Sequence, residues 1–221
     1  MTENATANLD TFPKWLQHNA AVRPSRPAMR HKDLGIWKEW SWADVARIVQ
    51  AYSLGLMAHG LQRGDKIAII GTNRPKLYWS IMAAQSIGAV PVPVYADSVA
   101  DEMAYVLDHA EVRFACVQDQ EQVDKILSVA ERLSRIEMVF YDEPRGLRDY
   151  DHARLQAIDD VITQGEGILF SDPAAVKRLA DEVAGGKGAD ISVMLYTSGT
   201  TGRSKGVMLT AGGCVNAAKD T

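Results

Sequence analysis

The sequence has little of what marks secreted, membrane-spanning or nucleic-acid-binding proteins. Its two cysteines, Cys116 and Cys214, both lie in apolar surroundings, which favours reduced core thiols in a cytoplasmic protein over a disulfide scaffold. No run of about eighteen apolar residues is present, so no transmembrane segment is predicted. The polar start of the chain lacks the apolar segment of a signal peptide. A net charge of −4 argues against a nucleic-acid partner.

The five histidines show no metal-ligand spacing, and no residue of this chain is predicted to bind a metal. What remains is the composition of an ordinary globular protein, with 47% hydrophobic and 24% charged residues. A length of 221 residues allows one sizeable core or two small ones.

Short apolar runs alternate with helical patterns over much of the chain. The runs cover residues 67–70, 90–94, 114–117 and 138–140, the last of which is predicted to close the series. Because the runs are apolar on both faces, they predict an α/β fold in which a parallel sheet is flanked by helices on both faces. The two prolines within residues 90–94 suit a strand end or an edge strand.

Helices and turns are predicted around this series. A helix is expected from about residue 10 to Pro24, a β-hairpin turns at residues 33–35, and Ser41 with Asp44 has the character of a capping box. Asp172 and the proline after it predict the start of another helix, which ends at Gly185.

Further predictions concern single side chains. Leu155 is assigned to a helix with the apolar residues that follow it, and a helix is predicted from Val123 to Leu133. Asn73 is interpreted mainly as the cap of a helix that begins at Pro75, with contact to a ligand crevice as the weaker alternative.

The tryptophans are interpreted as structural. Trp79 is predicted to be a core residue. Trp37, Trp40 and Trp42 resemble a ligand box at first sight, but packing of a β-hairpin on a helix explains them better.

The most informative stretch is residues 196–207, which joins two apolar runs at residues 191–195 and 207–209. Its hydroxyl, glycine and lysine residues include Thr197, Ser198, Gly199, Thr200, Thr201, Gly202, Lys205 and Gly206. Glycines let the backbone approach a ligand, backbone N–H groups in such turns form anion sites, and hydroxyls and lysine add donors for phosphate oxygens. The stretch therefore predicts a loop between two strands that grips a polyphosphate.

Two other interpretations of this stretch are weaker. A P-loop requires a Gly-Lys-Ser/Thr sequence that opens a helix, whereas Lys205 here lies three residues after Gly202 and precedes an apolar run. A flexible Gly/Ser/Thr turn does not explain why hydroxyls and a cation are combined between two apolar runs.

The stretch resembles the signature loop of the adenylate-forming enzymes, which include acyl- and aryl-CoA synthetases, luciferases and peptide-synthetase adenylation domains. Residues 64–70 and 88–93 resemble the family's first core strand and the strand that follows, so the resemblance covers roughly residues 11–221. The upstream sequence is most similar to that of long-chain fatty acyl-CoA synthetases. Two positions depart from the pattern, Ser204 where proline is usual and Ala211 where many members have histidine.

The resemblance implies a carboxylate–CoA ligase that uses ATP, Mg²⁺ and CoA and acts on a small-molecule carboxylate, a fatty acid in the closest group. It implies that Lys205 is a catalytic residue and that the loop binds ATP phosphates through the residues Thr197, Ser198, Gly199, Thr200, Thr201, Gly202 and Lys205. The ligand of Mg²⁺ and the catalytic lysine of the C-terminal domain are expected outside these 221 residues.

The family's members are more than twice as long, so we interpret the sequence as an N-terminal portion of a longer enzyme. Residues 1–9 are predicted to be a disordered tail, residues 10–186 a first α/β subdomain, and residues 187–221 the phosphate-loop hairpin with the start of a second subdomain. The 221-residue chain alone is predicted to be inactive, and either to self-associate or to have a mobile C-terminal stretch.

Alternatives to the fatty acid ligase remain open at this point. They are an aryl-CoA ligase, a peptide-synthetase adenylation domain, and a non-catalytic remnant that binds nucleotide or phosphate. A flavodoxin-like binding domain also fits the alternating strands and helices, but it leaves residues 197–205 unexplained.

Overall fold

The computed structural model describes residues 9–197 and 204–219. The strands within these residues are, in chain order, β1 (Pro27–Asp33), β2 (Ile36–Ser41), β3 (Lys66–Ile70), β4 (Val90–Val94), β5 (Val112–Val117), β6 (Met138–Tyr141), β7 (Leu155–Ala157), β8 (Ile191–Thr197) and β9 (Lys205–Thr210). The α-helices are α1 (Phe12–Val22), α2 (Trp42–Ala58), α3 (Pro75–Ile87), α4 (Ala100–His109), α5 (Gln120–Ser128), α6 (Ile158–Ser171), α7 (Pro173–Gly185) and α8 (Ala211–Lys219).

A five-stranded parallel sheet with the strand order β4-β3-β5-β6-β7 forms the centre of the fold. Two antiparallel hairpins, β1-β2 and β8-β9, lie outside it. The α/β fold predicted from the apolar runs is confirmed, and so is the predicted turn of the first hairpin at residues 33–35.

The three inner strands of the sheet, β3, β5 and β6, contribute alternate side chains to two separate cores. Ile67 and Ile69 of β3 pack in one core with α1, α2, α3, α6 and α7, while Ala68 and Ile70 pack in the other with α4 and α5. Successive side chains of a strand point to opposite faces, so two buried faces require an unbroken apolar run. This is why the sequence shows runs in this part of the chain and no alternation of apolar and polar residues.

The proline-rich strand β4 lies at one edge of the sheet, as predicted. Its register pairs Pro91 with Ile67 and Pro93 with Ile69. An edge strand needs ladder hydrogen bonds on one side only, so the missing N–H groups of two prolines are tolerated there.

The predicted caps are present. The Ser41 hydroxyl accepts a hydrogen bond from the Asp44 N–H, and the Asp44 carboxylate accepts one from the Ser41 N–H, which makes a capping box at the start of α2. The Asp172 carboxylate accepts a hydrogen bond from the Ala175 N–H at 2.9 Å and caps α7.

Two predictions about elements were wrong. Leu155 belongs to the short strand β7, which pairs with β6, so the run at residues 138–140 does not close the sheet. The helix predicted from Val123 to Leu133 ends at Ser128, and a single 3₁₀ turn, Ala130–Arg132, follows. A strand of three residues is too short to show the two-residue repeat that distinguishes a strand from a helix. The apolar side chain of Leu155 fits both the strand repeat and the helix repeat.

The tryptophans are structural, with one exception. Trp79 is 5% exposed and belongs to the core, as predicted. Trp40 packs edge-on against it at 5.4 Å between ring centroids, and the Arg23 guanidinium lies 5.6 Å from the centre of the Trp42 ring. Trp37 is 66% exposed near the tip of the hairpin, so packing against a helix does not account for it.

The thiol of Cys116 is completely buried and lies 3.1 Å from the Tyr52 hydroxyl, which confirms it as a core residue. Burial raises the pKa of this thiol to about 11, so it stays protonated at neutral pH. Cys214, in α8, is half-buried. Among the helices of the described chain, none pairs the length with the apolar character that crossing a bilayer requires.

Helices α2 and α6 approach each other closely because glycine occupies both sides of their contact. A Cβ atom built on Gly165 of α6 would overlap the carbonyl oxygen of Ala51 in α2. A Cβ atom built on Gly55 of α2 would lie 2.7 Å from the Cγ1 atom of Val161 in α6. The backbones therefore pack at a distance that no larger residue permits.

The substitution Gly165→Ala tests this packing. We expect it to lower the free energy of unfolding by about 1–3 kcal/mol or more, because the methyl group must push two helices apart. Gly167→Ala in the same helix is the matched control, because a Cβ atom there meets nothing within 4 Å. The control should raise stability by up to about 1 kcal/mol through helix propensity. Urea unfolding measures both, and equal midpoints for the two variants would contradict the close-packing argument.

Candidate functional site

The loop identified in the sequence connects the paired strands β8 and β9. The last pair of the ladder joins Thr197 to Lys205, and both residues are exposed. The apolar runs predicted to flank the loop are strands, as expected. Ser198, Gly199, Thr200, Thr201 and Gly202 lie outside the described residues, so the structure places the two ends of the predicted phosphate loop side by side.

A crevice of about 400 Å³ opens where this hairpin meets the carboxyl ends of β3 and β4. Strand β8 runs beside β4, and its last residue, Thr197, lines the crevice together with Thr72, Asn73 and Tyr95. Among its described lining residues there is no carboxylate, whereas hydroxyls and one amide are present. These polar groups can both donate hydrogen bonds to a ligand and accept them from it.

The segment after β3 is held in place by Gln118 at the end of β5. The Gln118 side-chain oxygen accepts hydrogen bonds from the N–H and the hydroxyl of Thr72, both at 2.7 Å. A Cβ atom on Gly71 would lie 2.8 Å from the Gln118 Cβ atom, so glycine is needed for this approach. The floor of the crevice is therefore fixed by contact with the neighbouring strand.

The main prediction for Asn73 was wrong. The N-cap of α3 is Arg74, whose side chain makes no capping bond, and Pro75 follows it. Asn73 is exposed and lines the crevice, so the weaker alternative in the sequence, contact with a ligand crevice, describes its position. Proline at the first helical position needs no cap for its missing N–H, which leaves the asparagine side chain free of that task.

Helix α4 contacts both ends of the loop. The Tyr196 hydroxyl lies 2.7 Å from Nδ1 of His109, and the Tyr105 hydroxyl donates to the Ser204 carbonyl oxygen at 3.2 Å. Burial raises the pKa of Tyr196 above its usual value. A Cβ atom on Gly206 would lie 3.1 Å from the Tyr196 ring, so glycine leaves room for that ring.

Polar contacts hold the other end of the hairpin, where β8 begins. The Arg63 guanidinium donates to Glu182 of α7 at 2.7 Å and to Asp190 at 3.3 Å. Partial burial acts to lower the pKa of Arg63, but the two carboxylates outweigh it and the pKa is raised. The Asp10 carboxylate accepts a hydrogen bond from the Gly188 N–H at 2.6 Å.

Gln85 of α3 completes this attachment. Its side-chain NH₂ group donates to the carbonyl oxygen and to the hydroxyl of Ser192, each at 2.9 Å. Ser192 is 4% exposed, and the ladder with β9 skips it, because the register shifts between Ile191 and Val193. Gln85 therefore satisfies a buried carbonyl that lies at a bulge.

The two departures from the family pattern have clear positions. Ser204 precedes β9 and offers its carbonyl to Tyr105. Ala211 is the first residue of α8, is 5% exposed, and donates its N–H to the Asp190 carbonyl at 2.9 Å. In residues 9–197 and 204–219, no three or more His, Cys, Asp or Glu side chains are grouped to bind a metal ion.

A family profile described as "AMP-binding enzyme" matches residues 16–221. The chain belongs to the family of AMP-binding enzymes. The predicted resemblance to adenylate-forming enzymes is thereby confirmed, and the crevice and hairpin can be compared with those of other members.

Curated relatives of this AMP-binding chain include long-chain fatty acid ligases and a fatty acyl-CoA synthetase. The long-chain-fatty-acid–CoA ligase FadD15 of Mycobacterium bovis is 28% identical over 187 residues, which are 84% of this chain and 28% of that protein. Fatty acyl-CoA synthetase A of Dictyostelium discoideum is 32% identical over 180 residues, 78% of this chain and 25% of that protein. The chain thus spans about a quarter of the length of these relatives.

Solved structures share the fold. Acetoacetyl-CoA synthetase from Streptomyces lividans superposes with a TM-score of 0.75 at 18% identity, over 93% of this chain and 31% of that one. The anthranilate CoA ligase AuaEII, solved with anthranoyl-AMP, has a TM-score of 0.75 at 21% identity, over 91% of this chain and 35% of that one.

Sequence reasoning missed the contribution of α4. Tyr105 and His109 are four residues apart, so they lie on the same face of the helix, and this spacing is the only signal that the sequence carries. Their partners, Tyr196 and Ser204, are about ninety residues away along the chain. The sequence alone does not connect the two sets.

The substitution Gln85→Leu tests how the hairpin is attached. It leaves the buried Ser192 carbonyl without its donor, so we expect the free energy of unfolding to fall by about 1–3 kcal/mol. Gln17→Leu, at an exposed position of α1, is the control and should change stability by less than about 0.5 kcal/mol. Urea unfolding compares the two, and equal stability of both variants would show that Ser192 finds another partner.

Proposed function

We propose that this chain is the N-terminal region of an AMP-forming carboxylate–CoA ligase whose carboxylate is a fatty acid. The observation that carries the proposal is the last ladder pair of the β8-β9 hairpin. This pair sets Thr197 and Lys205 on either side of the hydroxyl-rich loop. Thr197 also lines the crevice where β3 and β4 end, and none of the described lining residues of that crevice is acidic. The curated relatives, which are fatty acid ligases, support the choice of substrate.

The reaction proceeds in two displacements. A carboxylate oxygen attacks the α-phosphorus of ATP, the bond to the β-phosphate oxygen breaks, and pyrophosphate leaves with the electron pair. The thiol of CoA then attacks the acyl carbon of the adenylate, AMP leaves, and a thioester forms with loss of the thiol proton. Two anions meet in the first step, so neutralising and positioning the phosphates provide most of the acceleration.

Each proposed loop residue has a role in holding phosphate oxygens. Lys205 supplies a positive charge, Thr197, Ser198, Thr200 and Thr201 supply hydroxyl donors, and the backbone N–H groups around Gly199 and Gly202 are expected to surround the departing pyrophosphate. A charge-assisted hydrogen bond of this kind contributes about 1.5–3 kcal/mol.

The proposed division of labour follows from the residues that are present. In this proposal residues 10–186 are the α/β subdomain and residues 187–221 begin a second unit that carries the loop, with the crevice lined by Thr72 and Asn73 from the first and Thr197 from the second. Mg²⁺ supplies positive charge to the phosphates when it is bound. As the resemblance implies, we propose that the metal ligand and most of the CoA site belong to parts of the enzyme beyond these residues.

Lys205→Ala tests the role of the loop. We expect the 221-residue chain to bind pyrophosphate at least about tenfold more weakly after this change, because the loss of one charge-assisted bond costs more than about 1.4 kcal/mol. Isothermal titration calorimetry measures the affinity. Lys187→Ala is the matched control, because Lys187 is an exposed lysine before the opposite end of the hairpin. Equal affinities for the two variants would remove Lys205 from the site.

ATP–pyrophosphate exchange tests the catalytic assignment. The chain spans about a quarter of the curated ligases, so we expect these 221 residues alone to give no exchange with any fatty acid. The complete enzyme should give exchange with fatty acids in preference to aryl acids or amino acids. Exchange by the 221-residue chain would overturn the first expectation, and a preference for an aryl acid would favour the aryl-CoA ligase alternative.

A further inference from the structure

We propose that Tyr105 and His109 of α4, together with Tyr196, form a clasp that holds the two ends of the phosphate loop at a fixed position. The three side chains are positioning residues, and they need no contact with ATP. The inference deepens the proposed function, since it assigns to α4 the task of presenting the loop to the crevice. The clasp is defined by two contacts, His109 to Tyr196 and Tyr105 to the Ser204 carbonyl.

The first argument is the position of the contacts along the chain. Tyr196 is the next-to-last residue of β8, and Ser204 is the residue before β9, so one contact lies at each end of the loop. A hairpin turn is constrained when both of its stems are attached to a third element. Here both attachments come from the same helix, so the two stems cannot move apart without breaking one of the bonds.

The second argument is the geometry of the side chains. Tyr105 and His109 lie four residues apart and share one face of α4, and their rings are 5.5 Å apart between centroids. The Tyr196 ring stands perpendicular to the His109 ring at 5.8 Å, an edge-to-face arrangement that adds to the hydrogen bond. Packing and hydrogen bonding therefore favour the same position of Tyr196.

The third argument is that α4 is itself rigidly held. Met103, Ala104 and Leu107 are almost completely buried against the central sheet. The clasp residues project from the side of this helix that faces the hairpin. Through α4, the loop ends are held in a fixed position relative to the central sheet. The strands β3 and β4 of this sheet end at the crevice.

Amide hydrogen exchange, followed by NMR on the 221-residue chain, tests the clasp without ATP. In the double variant Tyr105→Phe/Tyr196→Phe the rings stay and the two hydroxyls are lost. We expect the amides of Thr197 and Lys205 to exchange about two- to tenfold faster for each lost bond. The matched control is Tyr150→Phe, which removes a hydroxyl bonded to Asp124 and should leave these amides unchanged. Equal exchange in the double variant and the wild type would overturn the clasp.

Rescue by a conservative variant separates positioning from general stability. His109→Ala should weaken pyrophosphate binding about two- to tenfold, and His109→Gln, whose amide can still bond to the Tyr196 hydroxyl, should restore it. Both variants should keep the thermal midpoint of the wild type. Loss of affinity in both variants to the same extent would contradict the clasp. If the wild type itself fails to bind pyrophosphate while the exchange result holds, the clasp stands and the proposed function is wrong.

Discussion

Burial of the central sheet on both faces is the constraint on which the rest of this structure depends. Helices cover the two faces, so the strand ends are the places where polar groups at the sheet can meet solvent and ligands. Parallel strands bring their carboxyl ends to the same edge, and segments that follow β3 and β4 line the crevice there. The location of the candidate site is thus a consequence of how the core is closed.

The β8-β9 hairpin, which carries the loop, does not belong to this sheet. Its two ends are attached in different ways. Charged and amide side chains, above all Arg63 and Gln85, fix the end where β8 begins. Aromatic side chains of α4 hold the end that carries the loop. The first attachment lies at the start of β8, and the second contacts Tyr196 and Ser204 on either side of the loop. Both attachments use contacts between residues far apart in the chain.

Much of this architecture follows from local patterns. The apolar runs predicted β3 to β6, the Ser41 capping box and Asp172 predicted where two helices start, and two prolines predicted the edge position of β4. The errors for β7 and α5 have one cause in common. The strand β7 has three residues, and α5 ends after nine, so the local signal was too short to distinguish a strand from a helix or to show an interruption. For Asn73, the sequence shows only an asparagine between an apolar run and Pro75, and this pattern fits a helix cap and a position in a crevice equally well.

By itself the sequence determined the class of fold, because continuous apolar runs specify a sheet buried on both faces. It also predicts an anion site from hydroxyls, glycines and a lysine within ten residues. The tertiary structure alone decided that Asn73 and Tyr95 border the crevice and that His109 meets Tyr196. Such contacts depend on how the helices and the hairpin pack against the sheet. The spacing of residues along the chain does not determine the distance between side chains that are far apart in sequence.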